Sequence, residues 1–227
     1  MRECVIRRGV GTGFWFGAVL AFMAGVLVLA WSAGGARAGA ASTNEAQAYV
    51  NSFTDSIMVV LSDVDTTDQQ KEDKFSAIFR AFTDTRRIGL FSLGKYARDL
   101  QEEQRDEYFS LLENYMIAIY FGHLSVYSNE TLEVIRAIEK GSNGKQVIVS
   151  SLLHFTGGRP DVAVNWWLFR SNDSFKLFDL SIAGVWLAQD QRSQFTTVIS
   201  QNDGDLNALL GHLKKRGNKS PQQVPAQ

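Results

Sequence analysis

The forty residues from Val147 to Trp186, VIVSSLLHFTGGRPDVAVNWWLFRSNDSFKLFDLSIAGVW, decide the fold. Apolar residues fill three runs, Val147 to Phe155, Val162 to Phe169 and Phe175 to Trp186, rich in the β-branched and aromatic types that suit a pleated surface. Gly157-Gly158-Arg159-Pro160 and Ser171-Asn172-Asp173-Ser174 separate them, each short enough for an antiparallel hairpin. Upstream, Leu132 to Ile138 reads as another strand, joined through Gly141-Ser142-Asn143-Gly144. The spacing predicts a meander of four antiparallel strands, not a parallel βαβ sheet. Val162, Val164, Trp166 and Leu168 alternate with Ala163, Trp167 and Phe169, and Phe178, Leu180 and Ile182 alternate with Phe175 and Leu177. Strands apolar on both faces need cover on both sides.

The rest of the chain supplies helices. Ala46, Val50, Phe53, Ile57, Val60, Leu61 and Val64 fall mostly three or four apart, which predicts an amphipathic helix over 44–64. Phe75, Ile78, Phe79 and Phe82 recur with the same spacing after the capping residues Asp65-Thr66-Thr67-Asp68. A short helix over 86–93 should stop at Gly94. Asp99 and Glu102 resemble a capping pair for a long helix over 100–126, whose acidic start suits the positive end of the dipole. Helices are also expected over 189–200 and from Leu206 to the basic residues Lys214, Lys215 and Arg216. The fold class expected is therefore α+β, with amphipathic helices packed on a twisted four-stranded antiparallel sheet that encloses an apolar pocket.

At the N-terminus, Arg2, Arg7 and Arg8 precede the apolar run Phe14 to Trp31, followed by Ala36-Arg37-Ala38. This is the layout of a cleaved secretory signal peptide over 1–38, leaving a folded domain over 39–217 and a disordered tail over 218–227 that contains Pro221 and Pro225. The lone cysteine, Cys4, lies in the leader, so the exported chain has no thiol chemistry. Four of the 23 basic residues and one of the 24 acidic residues are also in the leader. What remains is mildly acidic, without the basic field that recruits nucleic acid.

Catalytic signals are sparse. His123, His154 and His212 have no metal-ligand spacing, and no Gly-x-Ser-x-Gly elbow is present. One enzymatic reading has content: helices on a curved antiparallel sheet resemble the ketosteroid-isomerase cone, with Asp179, inside an apolar strand, as its base. Burial there would raise its pKa. The structural alternative is a carboxylate hydrogen-bonded to a turn or to an arginine such as Arg170 or Arg192. Trp166, Trp167 and Trp186 could form an aromatic platform, or pack in the core.

Two stretches carry a family resemblance. Residues 92–127, SLGKYARDLQEEQRDEYFSLLENYMIAIYFGHLSVY, have Leu-Gly-x-Tyr, then Glu-Gln-Arg near a helix start, then a Tyr-rich helix. Residues 175–195, FKLFDLSIAGVWLAQDQRSQF, have Phe-Asp-Leu-x-Ile-x-Gly-Val-x-Leu followed by Gln-Arg-Ser-Gln-Phe. Their order and spacing resemble the MlaC-type, or toluene-tolerance, family of periplasmic phospholipid-binding proteins. The resemblance implies a pocket for acyl chains with the headgroup near solvent. It also implies a periplasmic shuttle between an outer-membrane lipoprotein complex and an inner-membrane ABC transporter with a mammalian-cell-entry ring protein, with no cofactor and no covalent chemistry.

Many members read Gly-Val-Ser-Leu where this chain reads Gly184-Val185-Trp186-Leu187. That departure resembles a branch associated with hopanoid biosynthesis, so the ligand expected is a phospholipid or a hopanoid-type lipid. The candidate lining residues, chosen for size and facing, are Phe79, Phe82, Leu112, Tyr115, Met116, Ile119, Val149, Trp166 and Trp186.

Overall fold

Strands β1 (Thr131–Glu139), β2 (Gln146–His154), β3 (Val162–Ser171) and β4 (Ser174–Ile182) each run antiparallel to the one before, and a two-residue strand β5 (Val185–Trp186) completes the order β1-β2-β3-β4-β5. The computed structural model describes residues 34–124, 130–141, 144–172 and 174–217. The expected signal peptide, as far as residue 33, and the expected disordered tail over 218–227 lie outside the described residues. The described residues from Ala38 onward form one compact unit. The sheet therefore has five strands rather than four. The expected last strand breaks at Ala183 and Gly184, whose φ angles of 50° and 87° are the two positive values that a tight two-residue hairpin requires. Ile182 then pairs with Val185, and Ser181 with Trp186.

A bulge sets the geometry of β4. Trp167 pairs with Asp179 and Leu168 with Leu177, so Phe178 is the extra residue. Leu177, Phe178 and Asp179 are consequently buried in succession instead of alternating. On β2 and β3 the alternation is regular: Val147, Val149 and Ser151 share a buried face with Val164, Trp166 and Leu168.

Helices α1 (Gly34–Ser62), α2 (Asp68–Phe82) and α4 (Glu102–Leu124) contribute to the core with that face, while α3 (Thr85–Leu93) and α5 (Leu187–Ser200) adjoin β4. The last helix, α6 (Leu206–Gly217), packs on α4 and buries Leu206, Leu209, Leu210 and Leu213. Local chemistry fixes the helix ends. Thr67 and Gln70 form a reciprocal capping box at α2, and the Asp84 carboxylate accepts the Arg87 amide at α3. Gly94 ends α3 with a φ of 57°, after which the chain enters a single 3₁₀ turn, Gly94–Arg98. Asp99 terminates that turn, its amide bonded to the Tyr96 carbonyl, and α4 begins only at Glu102. The expected Asp99–Glu102 capping pair is thus displaced by the 3₁₀ turn.

Candidate functional site

Between the helices and the sheet lies a cavity of about 660 Å³. Phe53, Ile57 and Leu61 of α1, Phe75 and Phe79 of α2, and Tyr115, Met116, Ile119 and Tyr120 of α4 line the helical side. Val164, Trp166, Leu177, Leu180 and Ile182 line the sheet side. Trp166 is locked in place: its indole N–H donates to Ser151 Oγ at 2.9 Å, that hydroxyl donates to the Val164 carbonyl at 3.0 Å, and the ring meets Phe53 edge-on at 5.8 Å. The exposed lining residues Ile182, Ala183, Asp190, Gln194 and Arg216 put an opening where β4 ends and α5 begins. Across it, Glu130 takes an ion pair from Arg159 at 3.3 Å, and that guanidinium lies 4.3 Å from the ring centre of Phe155, another wall residue.

Of the nine sequence candidates, Phe79, Tyr115, Met116, Ile119 and Trp166 line this cavity. The other four lie elsewhere. Phe82 is turned toward α1, with Tyr49 and Phe53 both at 5.1 Å. Leu112 is fully buried where α4 meets α3 at Gly89, and Val149 is fully buried in mid-sheet. Trp186 stands on the other sheet face, 5.9 Å from Trp167. There Trp167, Phe169 and Phe178 form a second aromatic cluster with Phe91 of α3, so these tryptophans cover the sheet's far side. Helical period and strand alternation alike rank a residue as inward without distinguishing core from cavity wall, so Leu112 on α4 and Val149 on β2 were chosen together with the wall residues. Phe53, Ile57, Tyr120 and Leu180 were missed as lining residues, although each belongs to an apolar face visible in the sequence.

Asp179 also lies in the cavity wall and is 3% exposed. Its Oδ1 accepts the Leu180 amide at 2.8 Å and the Ala188 amide, in the first turn of α5, at 2.7 Å. The partner is therefore the start of a helix and neither Arg170 nor Arg192: Arg170 pairs with Glu45 at 2.6 Å, and Arg192 lies over Phe91. Trp186 occupies the N-cap of α5 without a side-chain hydrogen bond, so a carboxylate from the neighbouring strand satisfies the helix instead. Burial raises the Asp179 pKa, while the α5 amides pull it down.

The histidines do not converge. His154 is held between Glu133 at 3.1 Å and Asp161 at 2.9 Å, and the hydrogen bond that its ring donates to Glu133 is the main cause of its raised pKa. His212 is shifted down, chiefly by burial. The side chain of His123 lies outside the described residues. Among the described residues, no three His, Cys, Asp or Glu side chains are placed to hold a metal ion.

An α+β fold whose helices and antiparallel sheet wall off one large apolar cavity, open at one end, defines a class of small-molecule-enclosing proteins. A family model described as MlaC protein matches residues 51–215, and the chain belongs to that family. Its fold is similar to that of a phospholipid-binding protein from Ralstonia solanacearum, solved in complex with a phospholipid, with a TM-score of 0.68 and 23% identity over 76% of this chain and 97% of the other. No curated protein matches this sequence.

Proposed function

We propose that this protein is a lipid-binding carrier of the periplasm. The observation that carries the reading is the enclosed apolar cavity of about 660 Å³. At about 30 Å³ per water-sized group it has room for roughly twenty methylenes. Burying that many is worth on the order of 16 kcal/mol of transfer free energy, from which the cost of association is subtracted. A membrane lipid cannot leave a bilayer without such cover, and an enclosure that binds no covalent intermediate needs nothing else. The cargo proposed is a phospholipid or a hopanoid-type lipid. The acyl or ring portion lies against Phe79, Tyr115, Met116, Ile119 and Trp166, with its polar end at the Glu130–Arg216 rim.

Membership of the MlaC family supports a further step. The carrier would receive lipid from an outer-membrane lipoprotein complex and deliver it to an inner-membrane ABC transporter with a mammalian-cell-entry ring protein, or the reverse. The test is mass spectrometry of the organic extract of protein purified from the periplasm without detergent. One lipid per chain is the expected result. Folded protein that is empty and takes up no lipid from vesicles would overturn the reading.

A further inference from the structure

The mouth of the cavity carries charge of both signs. Leu153 pairs with Val162 and Val164 with Ile182, so the start of β1, the end of β2 and the end of β4 share one end of the sheet. Glu130 stands there, immediately before β1, and lines the cavity. Its side chain is only 8% exposed, and Arg159 Nη2 donates to its Oε1 at 3.3 Å. That is long for a charge-assisted hydrogen bond, which settles near about 2.8 Å. Across the opening, α6 brings up Arg216: a Cβ on Gly217 would lie 3.6 Å from the Tyr115 amide nitrogen, and the Tyr115 hydroxyl is 3.4 Å from Gln191 of α5. Asp190, beside Gln191, accepts only from Gln194, at 2.7 Å. Among the described residues neither Arg216 nor Asp190 forms an ion pair. The rim thus offers two carboxylates and two guanidinium groups.

A carboxylate set in an apolar wall carries a desolvation cost that one long contact does not offset. A headgroup bearing a phosphate and an ammonium supplies what is missing. Its two charges are a two-carbon link apart, so it can enter between side chains that already stand 3.3 Å from each other, the ammonium at Glu130 and the phosphate at Arg159, and replace one ion pair by two. An anionic headgroup finds a partner in Arg159 but leaves Glu130 and Asp190 unneutralised beside its phosphate. An uncharged polar end matches neither sign. We propose that Glu130 and Arg159 form a headgroup clamp, within a rim completed by Asp190 and Arg216, that selects phospholipids with a zwitterionic headgroup. The inference rests on the lipid-carrier reading and names the class of cargo within it.

The experiment incubates delipidated protein, purified from the periplasm, with vesicles of dioleoyl phosphatidylethanolamine and dioleoyl phosphatidylglycerol in equal amounts. Both lipids in the organic extract of the recovered protein are then measured by mass spectrometry. They share acyl chains and one membrane, so neither chain fit nor vesicle charge separates them. The zwitterionic lipid is expected in about three- to fivefold excess over the anionic one, the worth of one partly exposed ion pair. Glu130→Gln removes the partner of the ammonium and leaves Arg159 for the phosphate, so the ratio should fall to one or below with total lipid kept. Glu107→Gln, in the ion pair of α4 with Lys214 outside the cavity wall, should keep the wild-type ratio. Equal loading by the wild type, a ratio unmoved by Glu130→Gln even where total lipid falls, or an equal drop in Glu107→Gln overturns the clamp and leaves the carrier standing. If neither phospholipid is taken up, the phospholipid carrier falls and the clamp with it.

Discussion

Two glycines in helices make a matched test of the packing that holds α4 in the cavity wall. A Cβ built on Gly89, in α3, would come within 2.8 Å of Leu112 Cδ2 and 2.8 Å of Phe109 Cε1, whereas one on Gly211, in α6, meets nothing within 4 Å. Neither glycine has a positive φ, so alanine suits the backbone at both. In a helix interior Gly→Ala gains about 1 kcal/mol. At Gly211 that gain stands alone. At Gly89 it is set against an overpacking cost of about 1–3 kcal/mol.

The neighbours cannot easily give way, because Leu112 is fully buried and the Phe109 ring lies between Tyr108 at 5.3 Å and the Arg86 guanidinium at 5.0 Å. Gly211→Ala should therefore stabilise by about 1 kcal/mol and Gly89→Ala should be neutral to about 2 kcal/mol destabilising. The two variants would differ by about 1–3 kcal/mol, which for a chain of this size separates their melting temperatures by roughly 2–12 °C. Urea denaturation followed by circular dichroism measures it. Equal stabilisation by both substitutions would refute the close approach of α3 to α4.

Three other outcomes are expected. His154 has a pKa raised above 6.5 by Glu133 and Asp161, so its favourable contribution is fully present below the unfolded value and is lost as pH rises through the folded one. The denaturation midpoint of wild type should then exceed that of His154→Gln near pH 6 and converge with it near pH 9; a gap independent of pH would count against the pairing. Ile119→Trp places an indole in the cavity and should leave a folded protein with less than about half the lipid of wild type, whereas unchanged lipid in the extract would mean the cargo lies elsewhere. Trp186→Ser returns a hydroxyl to the α5 N-cap and removes a ring from the far sheet face, so lipid content should stay as in wild type, and its loss would put that face in the binding path.

Much of the architecture is written locally. Thr67 with Gln70 and the Gly94 stop can be read from neighbours in sequence, because capping and turn chemistry act over a few residues. The phase change in β4 was also visible: Phe175 and Leu177 occupy one alternation, then Phe178, Leu180 and Ile182 the other. Read as a two-faced strand, it is the mark of the bulge opposite Trp167 and Leu168. The break at Ala183 was harder to see, since alanine rarely takes a φ of 50° and only pairing with β5 holds it there.

Sequence alone determined which residues turn inward, because amphipathic period follows from the geometry of a helix or a strand. It also carried the family, through the spacing of two motifs. Only the tertiary structure decided where the inside is full and where it is hollow. Leu112 and Met116 lie one turn apart on α4, yet the first meets α3 at Gly89 and the second faces the cavity. That difference depends on how far α3 and the sheet stand from α4, a distance set by contacts between elements far apart in the chain. The same holds for Asp179, whose partner is the helix that its own strand turns back to begin.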